Sequence, residues 1–579
     1  MIAHRRLPVA VAAPVPRLYD RATMTERIVT SLAQLNPTVG AVAANLAKAR
    51  QARAAAARAG ADLVVFSELF LSGYPPEDLV LRPSFVARCR AAAEAIAADT
   101  GDGGPGVLIG TPWSQGGKCY NAVVLADGGR IEAIRFKHDL PNYGVFDEKR
   151  VFAAGPAPGP VVFRGVRLGV PICEDIWTEE VCECLVETGA ELFIVPNGSP
   201  FERGKEDVRL NIAVARVTET GLPLIYLNQV GGQDELVFDG SSFGLNADRT
   251  LAFEMASFVE DMALVEWRRQ AGGWAMLPGA VAAPEDAHAV IWRACVTGLK
   301  DYVDKNRFPG VVLGLSGGID SAVVAAMAVD ALGPERVECL MMPYKYTAQT
   351  SFDDAADCAR LLGVRYEVVA IAEAVEGFGH ALAGLFAGLH PDVTEENIQA
   401  RARGTVLMAV SNKFGSMVLT TGNKSEMSVG YCTLYGDMNG GFNPVKDIYK
   451  TEIYALARYR NQRRPAGMKG PEGRVIPEPI IAKAPSAELR PNQTDQDSLP
   501  PYAVLDDILN GLVEAEASIS ELVARGHDRP TVERIQHMLY VAEYKRRQAA
   551  PGVKITARNF GRDRRYPITN AFREKDDEL

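Results

Sequence analysis

The stretch Ser316-Gly317-Gly318-Ile319-Asp320-Ser321 constrains this 579-residue chain more than any other. It follows the apolar run Val311-Val312-Leu313-Gly314-Leu315 and precedes a helix-forming run at 322–332, so it reads as a strand, a tight loop and a helix start. Small residues there let backbone N–H groups approach an anion, and the helix N-terminus adds the positive end of its dipole. The two serine hydroxyls add donors, and the whole suits a pyrophosphate. Asp320 brings a negative charge among phosphates, which makes chemical sense beside a cation such as Mg²⁺. The loop lacks the lysine of the G-x-x-x-x-G-K-[ST] pattern, so it is a different kind of phosphate cradle.

Around that loop the chain divides in two. Apolar runs at 311–315, 337–342, 365–370 and 417–421 alternate with helical stretches and predict a mainly parallel, doubly wound α/β sheet with its ligand at the strand C-terminal ends. An amphipathic helix at 285–306 precedes them. Between 28 and 228, short apolar runs (28–35, 61–66, 107–110, 122–125, 167–172, 192–195, 224–228) alternate with helical stretches, including 42–57 and 208–220. That is the pattern of a layered α/β sandwich. Residues 272–284 (GGWAMLPGAVAAP) lack periodicity and read as a linker between a first domain at 24–271 and a second at 285–579. Residues 463–501, rich in proline and charge, read as an active-site lid or an unstructured loop. Prolines 8, 14 and 16 break the apolar core a signal peptide needs, so 1–23 reads as a disordered tail ahead of Met24.

Composition excludes several function classes. With 62 basic and 72 acidic residues the formal charge is −10, which argues against a general nucleic-acid or membrane-surface binder. No apolar run approaches the roughly 18 residues a spanning helix needs. Nine scattered cysteines suit a reducing, cytoplasmic setting. Cys182 and Cys184 form the one close pair; with no histidine near them they read as helix thiols rather than a zinc site.

Three further segments carry an acid, a base and a thiol at the ends of apolar runs. They are Val65-Phe66-Ser67-Glu68-Leu69, Phe136-Lys137-His138-Asp139-Leu140-Pro141-Asn142-Tyr143 and Gly169-Val170-Pro171-Ile172-Cys173-Glu174-Asp175. In order and context each resembles a motif of the nitrilase (carbon–nitrogen hydrolase) family. The resemblance implies an α-β-β-α sandwich and a Glu68–Lys137–Cys173 triad, with Glu148 available as a second acid. The chemistry accounts for the residue types. An amide carbonyl is a poor electrophile, so a thiolate attacks it and forms a thioester. Lys137 favours that thiolate and Glu68 takes its proton. Lys137 and the N–H of Glu174 are the natural donors to the oxyanion. By the same resemblance Tyr143, Ser199 and Lys205 line the amide-substrate pocket, although Arg203 is equally able to meet a carboxylate.

The Ser316–Ser321 pattern resembles the signature of the ATP pyrophosphatases, which cut ATP between its α and β phosphates and adenylate an acceptor. Downstream lie Thr420-Thr421-Gly422-Asn423-Lys424-Ser425-Glu426, Gly436-Asp437-Met438-Asn439-Gly440-Gly441 and Lys450-Thr451-Glu452. With Glu396-Asn397-Ile398-Gln399-Ala400-Arg401, Pro485-Ser486-Ala487-Glu488-Leu489 and Tyr544-Lys545-Arg546-Arg547 they resemble the NAD synthetase family, and the fused order resembles its glutamine-dependent members. That implies ATP as co-substrate, held by Gly314, Leu315, Ser316, Gly317, Gly318, Ile319, Asp320, Ser321, Thr421 and Lys450. It implies deamido-NAD at Asn397, Glu426 and Lys545, and Mg²⁺ at Asp320, Glu426 and Ser486. The expected partners are small molecules (glutamine, ATP, deamido-NAD) and further copies of the chain in a homo-oligomer. The expected reaction runs from glutamine to ammonia in the first half, and from an adenylated carboxylate to an amide in the second. The rivals are an amidotransferase making another product, a thiolating enzyme, which would carry Cys-x-x-Cys, and a catalytically dead nitrilase scaffold, which would have lost Glu68, Lys137 or Cys173.

Overall fold

The computed structural model describes residues 25–574; the expected tail at 1–23 lies outside the described residues. In the first half two sheets lie face to face, one of seven strands and one of six. The centre of the larger sheet is parallel: Arg27–Gln34, Leu63–Phe66 and Gly106–Gln115 run side by side, with antiparallel strands at both edges. The smaller sheet repeats the plan with Val166–Gly169, Leu192–Asn197 and Leu224–Asn228. Most positions in these runs are apolar because both of their faces are covered. Leu63 and Val65 point into the core between the sheets, whereas Val64 and Phe66 pack under the helices Val42–Arg58 and Pro83–Asp99. On the far side Leu192 and Ile194 face the inter-sheet core and Phe193 and Val195 meet Glu180–Glu187 and Lys205–Thr220. The result is the α-β-β-α sandwich expected from the sequence.

The second half has a parallel four-stranded sheet in which Val311–Gly314 lies between Val337–Met341 and Met417–Val418, with Arg365–Val368 at the edge. The chain builds outward from Val311–Gly314 in one direction and then returns to its other side. The loop after that strand therefore sits where the strand order reverses, the place at which open α/β sheets form a crevice. The helix that follows, Ile319–Leu332, is buried at every position except Asp320, which explains its nearly uniform apolar sequence. Asp330, also buried, is held by Arg460 through Nε (2.7 Å) and Nη2 (2.9 Å) and by the indole N–H of Trp292 (2.9 Å).

Two sequence expectations need correction. Residues 272–284 are not linker throughout: Gly273–Met276 pairs antiparallel with Asp261–Gln270 and extends the larger sheet. Trp274 and Met276, two residues apart, are buried between the sheets, an alternation hidden inside a Gly/Ala/Pro composition. For residues 463–501, of the two alternatives a lid or an unstructured loop, it is the unstructured loop that fails. Val475, Ile476, Ile480 and Ile481 are part of the main core of the second half, and the stretch that follows them borders a cavity.

The halves are locked together by the helix Ala287–Lys305. Its Asp301 accepts from the Asn36 side chain (2.6 Å) and the Gly232 N–H (2.6 Å), and its Lys305 donates to Asn36 Oδ1 (2.8 Å) and Gly232 O (2.7 Å). Breaking a buried pair from one side leaves an uncompensated charge, at a cost of about 3–5 kcal/mol. Asp330→Ala should therefore lower the thermal midpoint of the second half strongly, and an unchanged melting curve would show that Arg460 finds another partner.

Candidate active sites

The first site is built at strand ends. Glu68 follows Leu63–Phe66, Lys137 follows Arg130–Phe136, and Cys173 opens the turn Cys173–Ile176 after Val166–Gly169. Glu68 and Lys137 are wholly buried, and Cys173 and Glu148 nearly so. The Lys137 ammonium donates to Glu68 Oε1 (2.7 Å) and to both oxygens of Glu148 (2.9 and 3.0 Å). Glu68 also accepts from the Asn121 amide (2.7 Å) and the Gly198 N–H (2.8 Å), and Glu148 from the Tyr74 hydroxyl (2.9 Å). Burial works against the Lys137 charge, but Glu148 and Glu68 outweigh it and hold the lysine protonated. Burial pushes Glu148 up to about 7, opposed by Lys137 and reinforced by Glu68. Cys173 lies close enough to feel both partners: burial and Glu68 push its thiol up and Lys137 pulls it down. The thiol thus keeps its proton until a base removes it.

The Cys173 backbone has a φ of +49°, a strained conformation for a side-chain-bearing residue. Asp175 holds it there. Its carboxylate accepts N–H groups from Ile172 (2.9 Å), His138 (3.0 Å) and Asp139 (2.7 Å), tying the cysteine turn to the segment just after Lys137. Asn121, Tyr74 and Asp175 were given no role in the sequence reading. Only Asp175 had a legible signal there, as the second acid after the cysteine.

Around the triad, the Tyr143 hydroxyl donates to Glu174 (3.0 Å). Ser199 is buried, with its hydroxyl accepting from Arg209 Nε (3.0 Å), and Arg209 is itself paired to Asp239 (2.7 Å). The Lys205 ammonium lies over the rings of Phe146 (5.4 Å) and Trp177 (6.0 Å), and burial, with Arg209 adding to it, lowers its pKa to about 8. Arg203 is drawn away into a pair with Glu452 of the other half (2.6 Å). Of the two cations, Lys205 is the one turned toward the aromatic pocket.

The second site is a cavity of about 470 Å³ at the C-terminal end of Val311–Gly314. That is room for a nucleotide-sized ligand. Every residue expected there lines it except Gly317: Gly314, Leu315, Ser316, Gly318, Ile319, Asp320, Ser321, Asn397, Thr421, Glu426, Lys450, Ser486 and Lys545. Gly317 turns instead toward a neighbouring helix. Its φ is +79°, and a Cβ there would lie 2.2 Å from Ser351 O.

Here too a buried lysine joins two carboxylates. Lys450 donates to Asp320 Oδ2 (2.5 Å) and Glu426 Oε1 (2.9 Å), and Asp320 Oδ1 accepts from the Asn423 amide (2.9 Å). Asn423 Oδ1 also caps the helix Lys424–Val429 by accepting the N–H of Glu426 (3.0 Å). Burial opposes the Lys450 charge, but Asp320 and Glu426 hold it above its ordinary value; burial pushes Glu426 up to about 7. Two carboxylates this close fit Mg²⁺, which takes one or two protein carboxylates and completes its shell with water and phosphate oxygens. The Ser486 hydroxyl is engaged in its own loop, donating to Gln493 O (2.6 Å) and accepting from Glu488 N (3.2 Å). Asn397 accepts from Thr433 (2.9 Å), and Lys545 donates to the carbonyls of Gly430 (2.8 Å) and Cys432 (2.7 Å). Arg403 and Lys483 also line the cavity and went unnoticed in sequence, where nothing distinguishes them from other helix and loop cations.

Comparisons with known proteins agree with this two-site layout. A family model described as carbon-nitrogen hydrolase matches residues 30–272, and one described as NAD synthase matches 291–549. The chain is 54% identical over 555 residues to the glutamine-dependent NAD(+) synthetase of Rhodobacter capsulatus, covering 95% of this chain and 100% of that one. It is 49% identical to the protein of the same name from Xanthomonas campestris, covering 96% and 100%. Its fold is similar to that of a glutamine-dependent NAD⁺ synthetase from Acinetobacter baumannii in complex with ADP. There the TM-score is 0.75, the identity 41%, and the coverage 95% of this chain and 100% of that one.

The position of Gly317 makes a sharp prediction. Gly317→Ala should weaken ATP binding in isothermal titration and also lower the thermal midpoint, because a left-handed backbone and the Ser351 carbonyl both oppose a Cβ there; wild-type affinity and midpoint in that variant would contradict the close approach of the loop to the helix.

Proposed function

The chain belongs to the glutamine-dependent NAD(+) synthetases, and from that premise we propose how its residues divide the work. It is a glutamine-hydrolysing ligase that combines a glutaminase half with an NAD synthase half. The observation that carries our assignment of the first centre is the Lys137 ammonium fixed between Glu68 and Glu148 beside a buried thiol.

Glutamine enters with its side-chain amide over Cys173, bordered by Tyr143, Ser199 and Lys205. Glu68 takes the thiol proton as sulfur attacks the amide carbon. The oxyanion is stabilised by Lys137 and the backbone N–H of Glu174. Glu68 returns the proton to the departing nitrogen, and ammonia leaves a Cys173 thioester. Water, deprotonated by Glu68, then releases glutamate.

In the second centre the nicotinate carboxylate of deamido-NAD attacks the α phosphorus of ATP and pyrophosphate leaves. Ammonia then attacks the acyl carbon, AMP departs, and the amide of NAD⁺ remains. The loop from Gly314 to Ser321 and Thr421 hold ATP; Asn397, Glu426 and Lys545 hold deamido-NAD. Lys450, fixed by Asp320 and Glu426, offsets charge on the phosphate oxygens. Mg²⁺, when bound by Asp320 and Glu426, supplies further charge neutralisation there. Ser486, whose hydroxyl serves its own loop, contributes by shaping the wall. Ammonia that reached water would be protonated and lose its nucleophilicity, so a sheltered path between the centres belongs to this reading. A cytoplasmic, homo-oligomeric protein completes it; nine free cysteines suit a reducing compartment, and no helix among the described residues is long and apolar enough to cross a membrane.

Cys173→Ala should reduce glutamine-dependent NAD⁺ formation by about 10⁴-fold or more and leave ammonia-dependent formation intact; loss of both together would refute two separable centres. The pH dependence follows from the paired carboxylates. Below about 7 Glu148 takes up a proton and no longer meets the Lys137 ammonium as a carboxylate, so the lysine loses one of the two charges that fix it. Glutamine hydrolysis should therefore fall on the acid side of neutrality. In Glu148→Gln that titrating carboxyl is gone, so the acid limb near neutrality should be lost. An acid limb that stays put would separate Glu148 from the titration.

A further inference from the structure

The loop that walls the glutamine pocket is not held by its own half alone. Tyr143 and Phe146 meet edge to face at 5.4 Å, and Phe146 lies beneath the Lys205 ammonium. Within the loop, Phe146 N bonds to Tyr143 O (2.9 Å) and Glu148 N to Pro141 O (3.1 Å). Further ties come from the far end of the chain. Arg565 Nη2 donates to Gly144 O (3.0 Å) across 421 positions of sequence. Asp563 Oδ1 lies 2.9 Å from where a Cβ on Gly144 would stand, and the φ of +53° there favours glycine. Arg562 pairs with Glu77, and Glu77 pairs with Arg150 (3.1 Å), whose Nε holds Asp147 (2.7 Å). Asp147 immediately precedes the helix turn Glu148–Val151 that presents Glu148 to Lys137. The loop is thus gripped at both ends.

The gripping segment is anchored in buried polar contacts. Lys554 pairs with Asp563 (2.9 Å) and Glu202 (3.0 Å). Asp447 accepts the N–H groups of Ile555 and Thr556 (2.7 Å each). Lys424, wholly buried, donates to Thr556 Oγ1 (2.6 Å) and Arg558 O (3.0 Å). Lone exposed ion pairs are worth little. Here, though, two arginines on a firmly seated strap hold a loop with few bonds of its own. The triad, by contrast, is fixed by Asn121, Gly198 and Asp175 from the first half.

We propose that Arg562 and Arg565 are positioning residues for glutamine, and that the C-terminal segment of the synthetase half completes the wall of the glutaminase pocket. This rests on the reading of Cys173 as the glutaminase nucleophile. Removing both arginines loosens Tyr143 and Phe146 over the substrate while leaving the reacting groups in place, so substrate binding suffers and chemistry does not.

The test is steady-state kinetics of the full-length double variant Arg562→Ala/Arg565→Ala. The KM for glutamine should rise by about tenfold, equivalent to ~1.4 kcal/mol, with kcat for glutamine hydrolysis and the ammonia-dependent rate retained. Arg565→Lys, which keeps a donor for Gly144 O, should recover part of the affinity. An unchanged glutamine KM in the double variant overturns the proposal, as does an equal fall of the glutamine- and ammonia-dependent rates, which marks general damage. Cys173→Ala run alongside judges the underlying reading separately: if it still makes NAD⁺ from glutamine, the glutaminase assignment fails whatever the arginines do.

Discussion

Each of the two sites buries a lysine between two carboxylates, Lys137 between Glu68 and Glu148 and Lys450 between Asp320 and Glu426. Taking such charges out of water costs several kcal/mol per ion, so each cluster persists only where its remaining lone pairs are satisfied. Asn121, Gly198 and Tyr74 do this in the first half and Asn423 in the second. Both clusters carry one negative charge in excess when fully ionised, and in both one carboxyl is pushed up to about 7. In the first cluster the raised group is Glu148, which helps hold Lys137 beside the base Glu68. In the second that poise suits a place that receives a divalent cation with its nucleotide.

The fold exists to hold these clusters at strand ends. Parallel strands buried on both faces present polar loops at their C-terminal ends; the acid and the thiol of the first half come from two such loops, and the base from the end of the antiparallel edge strand Arg130–Phe136. In the second half the reversal of strand order opens the crevice that the Ser316–Ser321 loop lines. The helix Ala287–Lys305 and the segment around Lys554 then join the halves through buried polar contacts rather than a bare apolar seam. Registration between two centres demands such directional bonds, because apolar contact alone tolerates sliding.

Much of this was legible in the sequence because continuous apolar runs report buried parallel strands, and because motif spacing fixed which residues meet at their ends. Glu68, Lys137, Cys173, Asp320, Glu426 and Lys450 fall together as their motifs imply. What stayed hidden has physical reasons. The strand Gly273–Met276 lay within a composition that mimics a linker, and only Trp274 and Met276 betrayed it. Asn121 sits mid-strand, where nothing local marks a buried amide as a partner of Glu68. At Gly317 the close approach to Ser351 adds a demand for glycine from a neighbour that no sequence window contains. The arginines at 562 and 565 act across more than 400 residues, beyond any local pattern.

The central claim is that the Ser316–Ser321 loop and Lys450 serve to activate a carboxylate by adenylation, so that ammonia from Cys173 has an acyl group to meet. Phosphorus NMR of a reaction supplied with glutamine, ATP and deamido-NAD measures this directly. The account predicts one AMP and one pyrophosphate for each NAD⁺ formed. ADP and inorganic phosphate in their place would contradict it.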